Sequence, residues 1–476
     1  MWRLETVNRR IVAVGSLAVI VVAAVITLRR LNIPEPQDDV PAVVIPARGP
    51  FTVAATGDTL MTRPVSTRDH DAAFSAVGDL VRHADLALTN LEVNFLGAEE
   101  AEHARARPLP RWVFGSEREA RELRRLGFDV VSQANNHATD YGAEGLAATS
   151  RVLDAVGLLH AGGGVDLAHA GAPAFAGGGS PRVAVIAVTS SSSPESRATA
   201  SRHDIQGRPG ANVLRYTAEI TADPATFETL KGSRLNAGSP ASDTEVTMFG
   251  TRIKKGVRTS VTLAVDGRDE KEILGHIREA RARVDVVIVS LHSHEPTNAQ
   301  DAPADFLQRF ARDAIDAGAS LVVGHGPHRL RGVEVFKHGV ILYSLGNFLY
   351  QTEGLDFRAA DVYDAGTDLF GLALGTTPAR PSADTFGPGH DAWWDGAVAV
   401  ATFNGGRVTA LRLHPIDLGV ALPMARRGTP RAADRNRSEV ILNRLARLSQ
   451  PYQTTIRVEN LVGVLDLQPQ ASTAAR

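Results

Sequence analysis

Asp58, Glu92, Asn136, His292 and His325 are side chains of types that bind divalent metals, and each stands just after a run of apolar residues. Asp58 closes Phe51-Thr52-Val53-Ala54-Ala55-Thr56-Gly57-Asp58, and Glu92 follows Leu86-Ala87-Leu88-Thr89-Asn90-Leu91. Asn135-Asn136-His137 follows the apolar stretch at 129–132, His292 follows 286–291, and His325 follows 321–324. Imidazole and carboxylate suit zinc, manganese or iron, and an asparagine carbonyl adds a neutral oxygen. Such a donor set can hold two divalent ions roughly 3.5–4 Å apart, bridged by a carboxylate and by a hydroxide that exists near neutral pH because bound metal acidifies water.

The elements that must position these residues are legible as alternating patterns. The runs at 51–55, 129–132, 182–188, 284–289 and 320–323 are β-branched and apolar on both faces, as in strands covered from both sides. Helical periodicity falls at 117–126, 142–156, 270–282 and 304–317, which predicts an α/β architecture. In open α/β sheets ligands bind beyond the carboxyl ends of the strands, where all five candidates stand. Further strands are expected at 340–344, 396–402 and 408–413, and a surface helix at 435–448. Residues 212–266 break the rhythm and read as an irregular insertion, with one strand-like stretch at 259–265, within a domain spanning 51–467; a frayed tail follows at 468–476. Trp393-Trp394 reads as a core pair. The glycine runs at 162–164 and 177–179 are turns, since no Lys-Ser or Lys-Thr follows to make a phosphate loop.

Composition narrows the function. A formal net charge of −2 gives no global basic field for nucleic acid. The chain has no cysteine, so disulfides, thiolate metal sites and cysteine nucleophiles are excluded. Residues 11–28 carry no charge and lie between Arg9-Arg10 and Arg29-Arg30. As a helix they span roughly 27 Å, near the thickness of a hydrocarbon core. The expectation is an uncleaved signal anchor over 1–30, with a cleaved secretory signal as the alternative, then a proline-containing linker over 31–50. Arginines before the apolar run point to a single-pass membrane protein with its main domain outside the cytoplasm.

The motifs Gly57-Asp58, Asn90-Leu91-Glu92, Ala134-Asn135-Asn136-His137, Ser290-Leu291-His292, Gly324-His325-Gly326-Pro327-His328 and Tyr343-Ser344-Leu345-Gly346-Asn347-Phe348 together resemble the CapA-type poly-γ-glutamate capsule synthesis proteins. The Asn-Asn-His and Gly-His-x-Pro-His motifs, in this order, are the specific ones. The resemblance implies a calcineurin-like metallophosphatase fold, a four-layer β-sandwich flanked by helices. It implies carboxylates from Asp58 and Glu92, a carbonyl from Asn136 and imidazoles from His292, His325 and His328 around divalent metal ions, two in the full form of the site. It places His137 beside the metals as proton donor or oxyanion stabiliser. Glu295 would orient a ligand or a water, and Asn347 would line the site. The chain departs from the pattern at residue 60, which is Leu where related phosphoesterases carry histidine, and at Ser293-His294, where capsule relatives often carry tryptophan. A mononuclear site therefore stays open, and His294 reads as a surface residue.

The implied activity is a metal-dependent hydrolase, or a transferase using the same chemistry, acting on poly-γ-glutamate or a related extracellular polyanion. Arg63, Arg208 and Arg329 are candidates to hold its carboxylates. Two alternatives remain at this level: a metallophosphoesterase, and a non-catalytic polymer-binding component working with capsule synthesis or export subunits.

Overall fold

In a computed structural model the described residues are 49–467, apart from 107–111, 178–180, 234–241, 249–250, 353–390 and 424. The expected membrane anchor, the expected linker up to residue 48 and the expected tail at 468–476 lie outside them. Among the described residues, no helix is long and apolar enough to cross a membrane.

The architecture is mixed α/β and is organised on two large sheets. In the ten-stranded sheet, Phe51–Leu60, Leu86–Leu91, Val130–Ser132 and Leu159–Ala161 run parallel side by side. Asp395–Asn404 joins antiparallel to Phe51–Leu60 and continues as a long hairpin with Arg407–Asp417. In the six-stranded sheet, Val183–Thr189, Val286–His292, Leu321–His325 and Gly339–Leu342 are parallel. Antiparallel strands Ala174–Ala176 and Val333–Phe336 close its two edges.

The doubly apolar character of the strands is explained by what covers each face. One hydrophobic cluster joins the facing sides of both sheets: Val53, Ala55, Leu86 and Leu88 of the first meet Val185, Ile288, Leu321 and Val323 of the second. The outer side of the first sheet packs Ala54, Ala87 and Val131 against Phe74 and Val77 of helix Ala72–Arg82 and Leu123 and Leu126 of helix Glu117–Leu126. The outer side of the second packs Ile186, Val287 and Val322 against Ile277 of helix Gly267–Arg283 and Phe310 of helix Asp305–Ala317. Trp394 is buried in the first of these outer clusters.

Helix Glu117–Leu126 begins where its sequence says it should. Ser116 and Glu119 form a reciprocal capping box, satisfying N–H groups that the first turn leaves unpaired. Residues 216–265, irregular in sequence, fold as a four-stranded sheet with helix Pro224–Lys231 and a cluster of their own around Phe227 and Val246. Ser260–Val265 matches the strand-like stretch expected at 259–265, while the charged residues of Tyr216–Ala222, Glu245–Met248 and Thr251–Lys255 hid the other three strands. Tyr216 anchors this unit to the main body, its ring 5.0 Å from that of Phe306.

Candidate metal centre

The parallel registers bring the site together. Asp58 is paired in register with Asn90 on one side and with Asn347 on the other, and His292 is paired with His325 in the second sheet. Asp58, Asn90, His292 and His325 stand at or near the carboxyl ends of their strands and Asn347 opens its own, so the two sets meet at one end of the facing sheets. The close approach demands glycine. A Cβ on Gly57 would lie 1.8 Å from the Gly346 carbonyl oxygen, which accepts from Asp58 N at 3.0 Å. Gly326 has φ 106°, and its N–H donates to Asp58 Oδ2 at 3.0 Å. His328 itself sits at φ 55°, a left-handed conformation uncommon for a side-chain-bearing residue.

Glu92 is the hub. Its Oε1 lies 3.8 Å from His292 Nε2, 3.9 Å from His294 Nε2 and 3.9 Å from His137 Nε2, and its Oε2 lies 3.8 Å from His328 Nδ1. Asp58 Oδ1 is 3.8 Å from His325 Nδ1, and its Oδ2 is 3.6 Å from His328 Nδ1. Donor atoms of Glu92, His294 and His328 all lie within 4.8 Å of one another. These are separations that one or two cations between the donors would bridge, rather than direct hydrogen bonds.

The donors fit a divalent cation on two further observations. Glu92 Oε1 and Oε2, Asn136 Oδ1 and both ring nitrogens of His325 are buried without a hydrogen-bond partner, a cost of several kcal/mol that a cation would remove. Burial pushes the Asp58 carboxyl up to about 7, against the hydrogen bonds from Asn90 and Gly326. Burial, with the charges of Asp58 and Asp140, holds Glu92 well above the usual carboxylate range. The same burial pushes His325 and His328 down to about 3 and His294 down to about 4, and holds His292 far below an ordinary imidazole. Two desolvated carboxylates beside neutral imidazoles are what a metal-binding donor set presents.

A ring of amides orients the donors. Asn90 Nδ2 lies 2.8 Å from Asp58 Oδ1 and 3.1 Å from His292 Nδ1. Asn135 Nδ2 donates to Leu91 O at 2.7 Å and to Asn90 Oδ1 at 3.2 Å. Asn347 Oδ1 lies 2.9 Å from His328 Nδ1, and its Nδ2 donates to Trp393 O at 2.9 Å. The Trp393 ring packs on His328 at 4.8 Å. His137 Nδ1 lies 2.8 Å from Asp140 Oδ2. Burial opposes the imidazolium there, but the charge and hydrogen bond of Asp140 outweigh it, so the His137 pKa is raised.

Asp58, Glu92, His137, His292, His325, His328 and Asn347 thus lie together, with the buried Asn136 Oδ1 between Asn135 and His137 in sequence. The hydrogen bonds of Glu295 run to hydroxyls rather than to the imidazoles. Its carboxylate accepts from Ser190, Ser191, Ser293 and Tyr216 hydroxyls, and Ser191 Oγ in turn accepts from His294 N at 2.8 Å. It therefore shapes the His292–His294 turn from behind. Arg63 directs Nη2 to Arg427 O, and Arg208 donates to Arg197 O and Pro194 O at the surface. Arg329 ties down the loop at 298–301.

His294, Asn90, Asn135 and Asp140 take part without having been assigned a role from sequence. His294 is not a surface residue: its Nε2 is 3.2 Å from His292 Nε2, and its Nδ1 is held 2.7 Å from Asn298 Oδ1. The available signal was the spacing of two at the end of a strand, which returns a side chain to the same face. Asp140 stands three residues after His137, within reach across a turn.

The chain is similar in sequence to known proteins. The chain matches the bacterial capsule synthesis protein PGA_cap family over residues 52–352. It is 36% identical over 439 residues to the uncharacterized protein y4sH of Sinorhizobium fredii, covering 88% of this chain and 93% of that one. It is 25% identical over 304 residues to the capsule biosynthesis protein CapA of Bacillus anthracis, covering 63% of this chain and 60% of that one. It is 24% identical over 310 residues to the PGA biosynthesis protein CapA of Bacillus subtilis, covering 63% of each.

Proposed function

Because the chain belongs to the bacterial capsule synthesis protein PGA_cap family, we propose that it is a metal-dependent hydrolase or transferase acting on poly-γ-glutamate or a related extracellular polyanion. The observation that carries this reading is the buried set of Asp58, Glu92, His292, His325 and His328 with the half-buried His294 beside it, the Glu92 oxygens and the His325 nitrogens having no hydrogen-bond partner. Purely structural histidines would be satisfied by hydrogen bonds within the fold. Two facing sheets with helices outside are also consistent with a metallophosphatase-like sandwich.

Those six side chains, with the Asn136 carbonyl, would hold one or two zinc, manganese or iron ions. A divalent ion there supplies Lewis acidity toward a substrate carbonyl and lowers the pKa of a water it binds. His137 has its Nδ1 fixed by Asp140 and turns its Nε2 toward Glu92, so a proton on Nε2 faces the cluster. It is placed to protonate the leaving amine of an amide substrate or to steady charge on its oxygen. Asn90, Asn135 and Asn347 keep the donors in register. The arginine-flanked apolar run at 11–28 supports anchoring at the cell membrane with this domain outside.

The test pairs metal analysis of the purified protein with an assay of poly-γ-glutamate cleavage or transfer, on wild type and His325→Ala. Bound metal and turnover that both fall in the variant support the reading. Polymer binding without turnover in either protein would instead favour an accessory binding role beside other capsule subunits.

A further inference from the structure

Asp301 is shared by three guanidinium groups. Arg329 Nη2 lies 2.8 Å from its carboxylate, Arg447 Nη1 3.4 Å and Arg444 Nη2 3.7 Å. Arg331, two residues after Arg329, adds a fourth charge while fully buried, donating to Glu295 O and Thr297 O. One carboxylate cannot neutralise this group. The other acids close by are engaged elsewhere: Glu295 accepts from four hydroxyls, and Asp395 binds Arg437 Nε at 2.6 Å. The Nε atoms of Arg329, Arg331 and Arg444 are buried and have no acceptor. Burial and the neighbouring Arg329 charge push Arg331 down to about 10 and lower Arg444 as well. Crowded, desolvated and under-paired cations of this kind are costly on their own and favour an incoming anion.

The patch adjoins the metal centre. Arg329 directly follows His328, and its Nη1 donates to Ala299 O at 2.6 Å. Asn298 of the same loop holds His294. Arg447 projects from helix Arg435–Ser449 with 61% of its side chain exposed, while Arg329 and Arg444 keep 18% and 15%, so the patch opens to solvent at its Arg447 end.

We propose that Arg329, Arg444 and Arg447 form an anion subsite that grips carboxylates of an extended polycarboxylate chain while another part of the chain lies at the metal centre. The proposal rests on the polyanion reading above and names where that polymer is held. Guanidinium forks match carboxylates in geometry, and a chain with a carboxylate on every residue offers them in series.

The experiment measures binding of a fluorescent γ-linked glutamate oligomer to the full-length protein at low salt with a chelator present. Chelation silences metal chemistry, so binding is judged apart from turnover. The expected result is that Arg444→Ala/Arg447→Ala binds about tenfold more weakly or worse, the value of one charge-assisted contact. Its affinity should also depend less on salt, and Arg444→Lys/Arg447→Lys should keep most of the affinity. Wild-type affinity in the double alanine variant would overturn the proposal, as would absence of oligomer binding in the wild type. Preference of the wild type for anionic lipid vesicles over the oligomer would also overturn it, making the patch a membrane-facing surface. Should the double variant unfold, Arg447→Glu decides: lost binding supports the subsite, and unchanged binding refutes it. A protein that binds the oligomer but never turns it over would sink the catalytic reading and leave the subsite standing.

Discussion

The Asn90 amide nitrogen lies 2.8 Å from Asp58 Oδ1, and the same nitrogen is 3.1 Å from His292 Nδ1. Asp58 belongs to the first sheet and His292 to the second. One fully buried amide therefore ties together donors from both sheets, and Asn135 fixes its orientation from behind. Asn90→Ala is expected to weaken metal affinity by about 10–100-fold, the usual cost of losing a residue that orients ligands. Titration of the metal-free variant with zinc or manganese by calorimetry measures this. Affinity equal to wild type would show that the strands alone hold the donors in place.

His137 and His325 should separate cleanly. His325→Ala removes a donor and should lose metal. His137→Ala should keep metal and lose about 10²–10⁴ in rate, the range of positioned proton transfer. The pH profile adds a sign. The His137 pKa is raised by Asp140 against burial, so the rate of an acid at this position falls as pH rises through that raised value. Asp140→Asn removes the charge and should move the alkaline fall to lower pH. An unmoved profile would take His137 out of the proton transfer.

Asp58 carries a cost that the metal-free protein must bear. Burial raises its carboxyl to about 7 in the fold from the ordinary 3.8. Between those values the folded state holds a proton that the unfolded chain gives up, so ionising Asp58 lowers stability as pH rises from about 4 to 7. The neighbouring imidazoles have the opposite trend, so the informative quantity is a difference. With metal removed, Asp58→Asn should gain on wild type across that window by up to about 4 kcal/mol. With saturating metal the order should reverse, because wild type alone has the full donor set. Denaturant melts at pH 4.5 and 7.5, with and without metal, check both halves.

Gly57→Ala should damage fold and site together. Its Cβ would fall 1.8 Å from the Gly346 carbonyl oxygen, which is backbone and cannot swing aside. The strand would have to part from Gly346-Asn347, pulling Asp58 out of register with Asn347. A loss of about 3 kcal/mol or more is expected from overpacking of this severity, accompanied by weaker metal binding. A variant with wild-type melting temperature and metal content would refute the close approach.

The alternation of strands and helices, and the placement of Glu92, Asn136, His292 and His325 at or after strand ends, were determined by sequence, while the strand carrying Asp58 runs two residues past it to Leu60. Both follow from local rules: β-branched runs covered on two faces make parallel strands, and their carboxyl ends are where polar residues can gather. The capped helix Glu117–Leu126 and the helix at 142–156 were legible for the same local reason. Within 212–266 only the strand-like stretch at 259–265 was legible, matching Ser260–Val265; Tyr216–Ala222 and Thr251–Lys255 were not, because half-exposed strands carrying charge lack the apolar runs that marked the others. Whether each candidate faces its neighbours is a question of register between strands distant in the chain, and no local pattern contains it. Register paired Asp58 with Asn90 and Asn347, and His292 with His325. It also brought His294 to Glu92, turned Glu295 back toward serine hydroxyls, and set helix Arg435–Ser449 beside the Asp301 loop. The sequence alone determined which residues are of metal-binding type; only the tertiary structure decided which of them meet, because the distances that matter are set by how two sheets pack face to face.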